Sequence, residues 1–185
     1  VLDAVEKYES ENLTLKSDSM LEIAGAMITS ETAAGDVYRY KYLLGYSLMT
    51  KWNLAKAEPI LEEALNLAYQ MNQSSRIVSA LSAMATLNNF KGDVFEAIQL
   101  QETAKDYFQG EDSLAYYGLV VNLGVGYNTI DQYDKSLSHY LAAKKYYESN
   151  EAYKNLALIE NNLGELYRER FKDHEIALKH YSNAA

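Results

Sequence analysis

Apolar positions along this 185-residue chain recur with a helical period and are interrupted by short polar stretches. The pattern predicts helices near 2–12, 15–30, 36–51, 54–71, 75–91, 94–109, 113–130, 133–149, 151–169 and 173–184, and no strand. Polar connections at 72–75, 109–113 and 149–152 turn one helical hairpin into the next, with Ser75, Asp112 or Ser113, and Asn150 as expected N-caps. The stretch TSETAAGD (29–36) is the loosest linker and the candidate hinge. Pro59 falls inside a predicted helix, where proline normally costs about 3 kcal/mol. A helix starting late, near Leu54 to Lys56, would bring the missing N–H into or near the first turn.

A longer period lies over the helical one. YLLGYSL (42–48), SAMATLN (82–88), VNLGVGY (121–127) and NNLGELY (161–167) align on a small anchor residue: Gly45, Ala85, Gly124 and Gly164. The anchors stand 40, 39 and 40 residues apart, each preceded by Leu44, Met84, Leu123 or Leu163. Small residues return twelve positions later at Ala57, Ala97 and Ser136, and again at Ala64, Ala104, Ala143 and Ala184. In the last copy Ala177 lies thirteen positions on, so one residue has been inserted. Stepping back 40 from Gly45 reaches Val5, with Tyr8, Ser17, Leu21 and Ala24 in phase, an eroded first copy.

This constellation resembles the tetratricopeptide repeat over essentially the whole chain. Small anchors let two antiparallel helices cross closely, while Leu and Tyr fill the space between neighbouring hairpins. The usual repeat is about 34 residues, so each helix here gains most of a turn, and AEPILEEAL (57–65) is similar to the second helix of the longer repeats of kinesin light chain and bacterial signalling proteins. The resemblance implies an all-α, right-handed superhelical solenoid of antiparallel helix pairs. It would be one domain over 1–185, with copies at 1–35, 36–74, 75–112, 113–150 and 151–185, excised from a larger protein.

Composition agrees and narrows the chemistry. One proline and nine glycines are too few for many short strands, and 17 Lys and Arg against 26 Asp and Glu give a net charge of −9. Such a surface repels nucleic acid and anionic membranes, so neither is an expected partner. With no cysteine, thiolate catalysis and Cys-type zinc sites are excluded, and either cytoplasm or periplasm is compatible. No nucleophile, P-loop or dinucleotide motif stands in the chain, so no enzyme activity and no cofactor are expected. Asp173-His174-Glu175 reads as a helix cap rather than a metal site, and a chaperone-type carboxylate clamp finds only Arg39 and Arg168 at matching positions.

The remaining candidate is the groove that first helices line in such repeats. Taken from the anchors, its expected partner-binding residues are Arg39, Tyr42, Tyr46, Asn89, Phe90, Asn122, Asn128, Asn161, Asn162 and Arg168. Asn122 and Asn162 share one phase, and a carboxamide, being donor and acceptor together, can pair with the backbone of an extended peptide. The alternative is that these amides satisfy their own chain. Tyr127, Tyr140, Tyr167 and Tyr181 read as core, whereas Tyr38, Tyr40, Tyr42 and Tyr46 crowd one helix and cannot all be buried. The functional expectation is a protein- or peptide-binding scaffold or sensor region of a bacterial signalling protein. The alternative is an assembly scaffold that self-associates through the edges at Ile176, Ala177 and Tyr181.

Overall fold

The computed structural model describes residues 19–108 and 113–184. The expected helix at 2–12, the Asp112 cap and most of the eroded first copy lie outside them. Among the described residues the chain is all-α, with no strand: α1 Ser19–Ala26, α2 Ala34–Thr50, α3 Leu54–Gln70, α4 Ser74–Lys91, α5 Val94–Asp106, α6 Leu114–Thr129, α7 Tyr133–Ser149, α8 Tyr153–Leu166 and α9 His174–Ala184. None is long and apolar enough to cross a membrane. The chain divides into two compact units, Val1–Lys91 and Gly92–Ala185.

In the first unit α2 packs on α3 and α3 on α4. Of the alanines that return after each anchor, Ala57 and Ala64 on α3, Ala97, Ala104, Ala143 and Ala177 are buried, whereas Ala184 is half-exposed. A Cβ on Gly45 would lie 2.6 Å from the Leu61 side chain. In the second unit α6 packs on α7, α7 on α8 and α8 on α9. Its core gathers Tyr116, Val120, Val121, Tyr140, Ala143, Tyr147, Ile159, Leu163 and Leu166. There a Cβ on Gly124 would meet the Tyr140 ring and one on Gly164 the Tyr181 ring, each at 2.6 Å. The anchors are therefore small because a large side chain of the paired helix, sixteen or seventeen residues on, lies against them.

The turns are built alike without much glycine. Trp52, Asn72, Asp131 and Glu151 follow their helices in the left-handed conformation, with φ between 50° and 61°. After each, an N–H reaches back five residues: Asn53 to the Leu48 carbonyl at 2.9 Å, Gln73 to Ala68 at 3.4 Å, Gln132 to Tyr127 at 2.9 Å and Ala152 to Tyr147 at 3.0 Å. This is the Schellman closure, which satisfies carbonyls the helix end leaves open. Gly92 (φ 86°) and Lys172 (φ 57°) hold the left-handed position in their turns.

Several expectations need correction. Ser113 does cap α6, accepting from the Tyr116 N–H at 3.1 Å. Ser75 lies inside α4, however, and Asn150 closes α7 instead of opening α8, its side chain donating to the Tyr146 carbonyl at 2.9 Å. α3 does begin at Leu54, yet Pro59 is its sixth residue, past the first turn. The Ala55 carbonyl thus loses its helical donor at a place where the proline itself is exposed to water. The helix expected over 151–169 ends at Leu166 and continues as a π turn, Tyr167–Phe171. A π turn holds one residue more than an α turn, so the residue inserted between Gly164 and Ala177 is absorbed there. Of the tyrosines read as core, only Tyr140 is fully buried; Tyr127, Tyr167 and Tyr181 are half-exposed.

Candidate interaction site

The ten residues read as partner-binding divide between the two units. In the first, α2 carries Arg39, Tyr42 and Tyr46, and the last turn of α4 carries Asn89 and Phe90. Tyr38, Tyr42 and Tyr46, four residues apart, stack along one side of α2 with ring centres 5.9 and 6.2 Å apart. Tyr38 is the buried end, its hydroxyl donating to the Arg76 carbonyl at 3.0 Å; Tyr42 and Tyr46 stay half-exposed. Arg39 lies 3.6 Å from Asp36 on its own helix. Phe90 stacks at 4.9 Å on Trp52, a residue the sequence reading missed. Trp52 is 69% exposed. The only available signal was a lone tryptophan standing in a polar turn, Lys51-Trp52-Asn53.

In the second unit α6 presents Asn122 and α8 presents Asn161 to solvent, while Asn128 and Asn162 are half-buried. Among the described residues the Asn128 Oδ1 is closed off from solvent and meets no hydrogen-bond donor. Beside these amides stand two large apolar side chains left open to water, Val125 at 45% and Leu158 at 52% exposure. Arg168 lies in the π turn, bracketed by Glu165 at 2.6 Å and Glu169 at 2.9 Å. Its charge is already answered.

No protein-family model matches the sequence, and no curated protein does. Solved structures do. The chain is similar to BtubC (BKLC) from P. vanneervenii, with 19% identity, TM-score 0.75, and coverage of 98% of this chain and 72% of that one. It is similar to a Podosopora anserina kinesin light chain of nearly identical TPR-like repeats, with 13% identity, TM-score 0.72, and 99% and 92% coverage. It is also similar to MamA from MSR-1, with 11% identity, TM-score 0.65, and 98% and 91% coverage. The chain has a tetratricopeptide-like repeat fold.

Within this tetratricopeptide-like frame the second unit holds a polar cluster that the sequence reading also missed. Glu160 on α8 is only 2% exposed. Its carboxylate accepts from the Lys144 ammonium on α7 at 2.8 Å and meets His180 Nδ1 on α9 at 2.6 Å. The His180 ring stacks on Tyr167 at 5.4 Å. Burial by itself raises the Glu160 pKa, but hydrogen bonds from Lys144 and His180, with the charges they carry, outweigh it and hold the carboxyl below its ordinary 4.5. The equivalent position, four before the anchor, is Lys41, Leu81 and Val120 in the other copies. A carboxylate in a phase where Leu81 and Val120 are core was the legible sign. Asp173, by contrast, behaves as read: its Oδ1 accepts from the Ile176 N–H at 3.0 Å and caps α9.

Proposed function

We propose that this chain is a protein- or peptide-binding scaffold, the sensing region of a bacterial signalling protein, holding its partner on the exposed faces of the first helices of its repeats. The observation that carries this reading is the second unit's first-helix surface, where Val125 and Leu158 stay open to water beside Asn122, Asn161 and Asn162. Half-exposed apolar side chains next to carboxamides offer a peptide both contact area and backbone pairing. In the first unit Tyr42, Tyr46 and the Trp52–Phe90 stack supply aromatic surface of the kind enriched at recognition sites. The net charge of −9 favours a neutral or basic partner. The fold-level likeness to RapI (TM-score 0.67) and to MamA fits a role in which the protein is a surface for others.

The test uses C-terminally amidated peptides selected from a display library on the intact chain. Replacing Asn122 and Asn162 together by Ala should weaken the selected peptides by about 1–3 kcal/mol, the cost of lost amide hydrogen bonds. The melting temperature should stay within about 2 °C, because a shift of that size is under about 1 kcal/mol at this length. A large fall in melting temperature with unchanged affinity per folded molecule would make the amides structural.

A second reading, self-assembly, rests on α9. Ala177, expected on an open edge, is buried, and Tyr181 is half-buried; Ile176 is exposed and Leu178 is 68% exposed. If assembly is the function, sedimentation velocity will show concentration-dependent association that Leu178→Glu abolishes. A monomer throughout, for both proteins, favours the peptide-binding reading.

A further inference from the structure

The second unit also contains a cleft of about 290 Å³ away from the predicted amide face. Lys105 on α5, Tyr116, Tyr117 and Val120 on α6, and Ser138, His139 and Ala142 on α7 line it. Its volume equals that of about ten waters at ~30 Å³ each, enough for one ring and a short polar tail. One wall is flat and rigid. Tyr117 stacks on Tyr146 with centres 4.1 Å apart, and Tyr116 braces it edge-on at 5.2 Å.

Among the described lining residues the charged side chain is Lys105, a cation in a chain of net −9. Lys105 has an acid within reach, Glu102, but at 3.6 Å, whereas Lys91 meets Glu58 at 2.7 Å and Lys144 meets Glu160 at 2.8 Å. Glu102 is itself engaged, accepting from the Tyr127 hydroxyl at 3.1 Å. The Lys105 ammonium is therefore loosely held at the edge of an aromatic recess. Lys135 adds a second cation close by, 4.9 Å over the Tyr127 ring, which packs 5.2 Å from the His139 ring of the cleft wall. Ser138 and His139 are tied down through the Lys135 carbonyl, at 2.9 and 2.8 Å, so this wall is preformed.

From this geometry we infer that the cleft binds a small carboxylate carrying one ring-sized apolar group, the carboxylate on Lys105 and the ring against Tyr117. The bulk of such a ligand is recognised by shape and aromatic stacking, its orientation by one charged contact. The proposal is independent of the peptide-binding reading, since no residue of the amide face takes part.

Titrating the ¹⁵N-labelled intact chain with 4-phenylbutyrate tests it. The expected result is saturable shifts at the amides of Ser138, His139 and Ala142, with the neutral 4-phenylbutyramide binding at least tenfold more weakly. Lys105→Met should remove that tenfold preference, and Lys145→Met, on the exposed side of α7, should keep it. Ala142→Met should weaken both probes by narrowing the recess, with the circular dichroism spectrum unchanged. A tripeptide, acetyl-Gly-Gly-Phe with a free carboxylate, binding more tightly than 4-phenylbutyrate would identify the ligand as a polypeptide C-terminus; weaker binding would identify a free small acid. Equal affinity for acid and amide, shifts that never saturate, or an unchanged preference in Lys105→Met would each overturn the inference.

Discussion

Replacing Glu160 by Ala should lower the melting temperature by about 6–12 °C. The buried carboxylate is the common partner of Lys144 and His180, and removing it takes the acceptor from two half-buried polar groups. Breaking a buried pair from one side costs about 3–5 kcal/mol. The low end applies because Lys144 keeps Glu148 within 3.7 Å. About 3 kcal/mol corresponds to that shift at this chain length. Glu160→Gln, which retains the shape and one acceptor, should cost clearly less. The pH dependence has a fixed sign. Because folding holds the carboxyl below its ordinary 4.5, its contribution is fully present above that value and is lost as pH falls through the lowered folded value. Below pH 4.5 the wild type should therefore lose melting temperature faster than Glu160→Gln. Parallel curves for the two proteins would remove Glu160 from the account of stability.

The second large effect is Gly124→Leu, which should destabilise by about 1–3 kcal/mol or more through overpacking. Even a single added Cβ would come within 2.6 Å of Tyr140, and that ring, 2% exposed in the middle of the core, has nowhere to move. Gly118 on the same helix is the control, since among the described residues a Cβ there meets nothing within 4 Å. Gly118→Ala should instead stabilise by about 0.5–1 kcal/mol, the helix-interior cost of glycine relative to alanine. Thermal melts of the two variants side by side check both signs. A stabilised Gly124→Leu would mean that the repeat anchors are not packing positions.

That pair also marks what the sequence made legible. The anchors Gly45, Gly124 and Gly164 could be found because repetition at about 40 residues exposes a position that only small residues fill. What they are small for could not be read, since Leu61, Tyr140 and Tyr181 belong to another helix and only the fold brings them together. Turn chemistry misled in a consistent way. Asn150 reads as a helix opener because asparagine serves both helix ends, and the left-handed closures at Trp52 and Glu151 use residues with no particular preference for that conformation. The insertion in the last copy was visible as a thirteen-residue step, but a π turn leaves no composition mark of its own.

The candidate face was legible in part for the same reason. Asn122 and Asn161 are exposed because the anchor phase fixes which side of a first helix the core claims. Asn128 and Asn162 sit at the border of that side and are half-buried, and phase alone cannot resolve a border position. Trp52 and the Glu160 cluster depend on contacts between different elements, which the periodicity within one helix does not encode.

Whether a partner lies on the first-helix faces can be read from backbone amide mapping. An amidated peptide selected on the intact chain is added to ¹⁵N-labelled protein, and the perturbed amides are assigned to helices. Saturable shifts are expected on α6 and α8 around Asn122, Val125, Leu158 and Asn162, with the exposed residues Lys145 and Glu148 of α7 unmoved. Shifts confined to α7 and α9, with α6 and α8 silent, would contradict a partner on the first-helix faces.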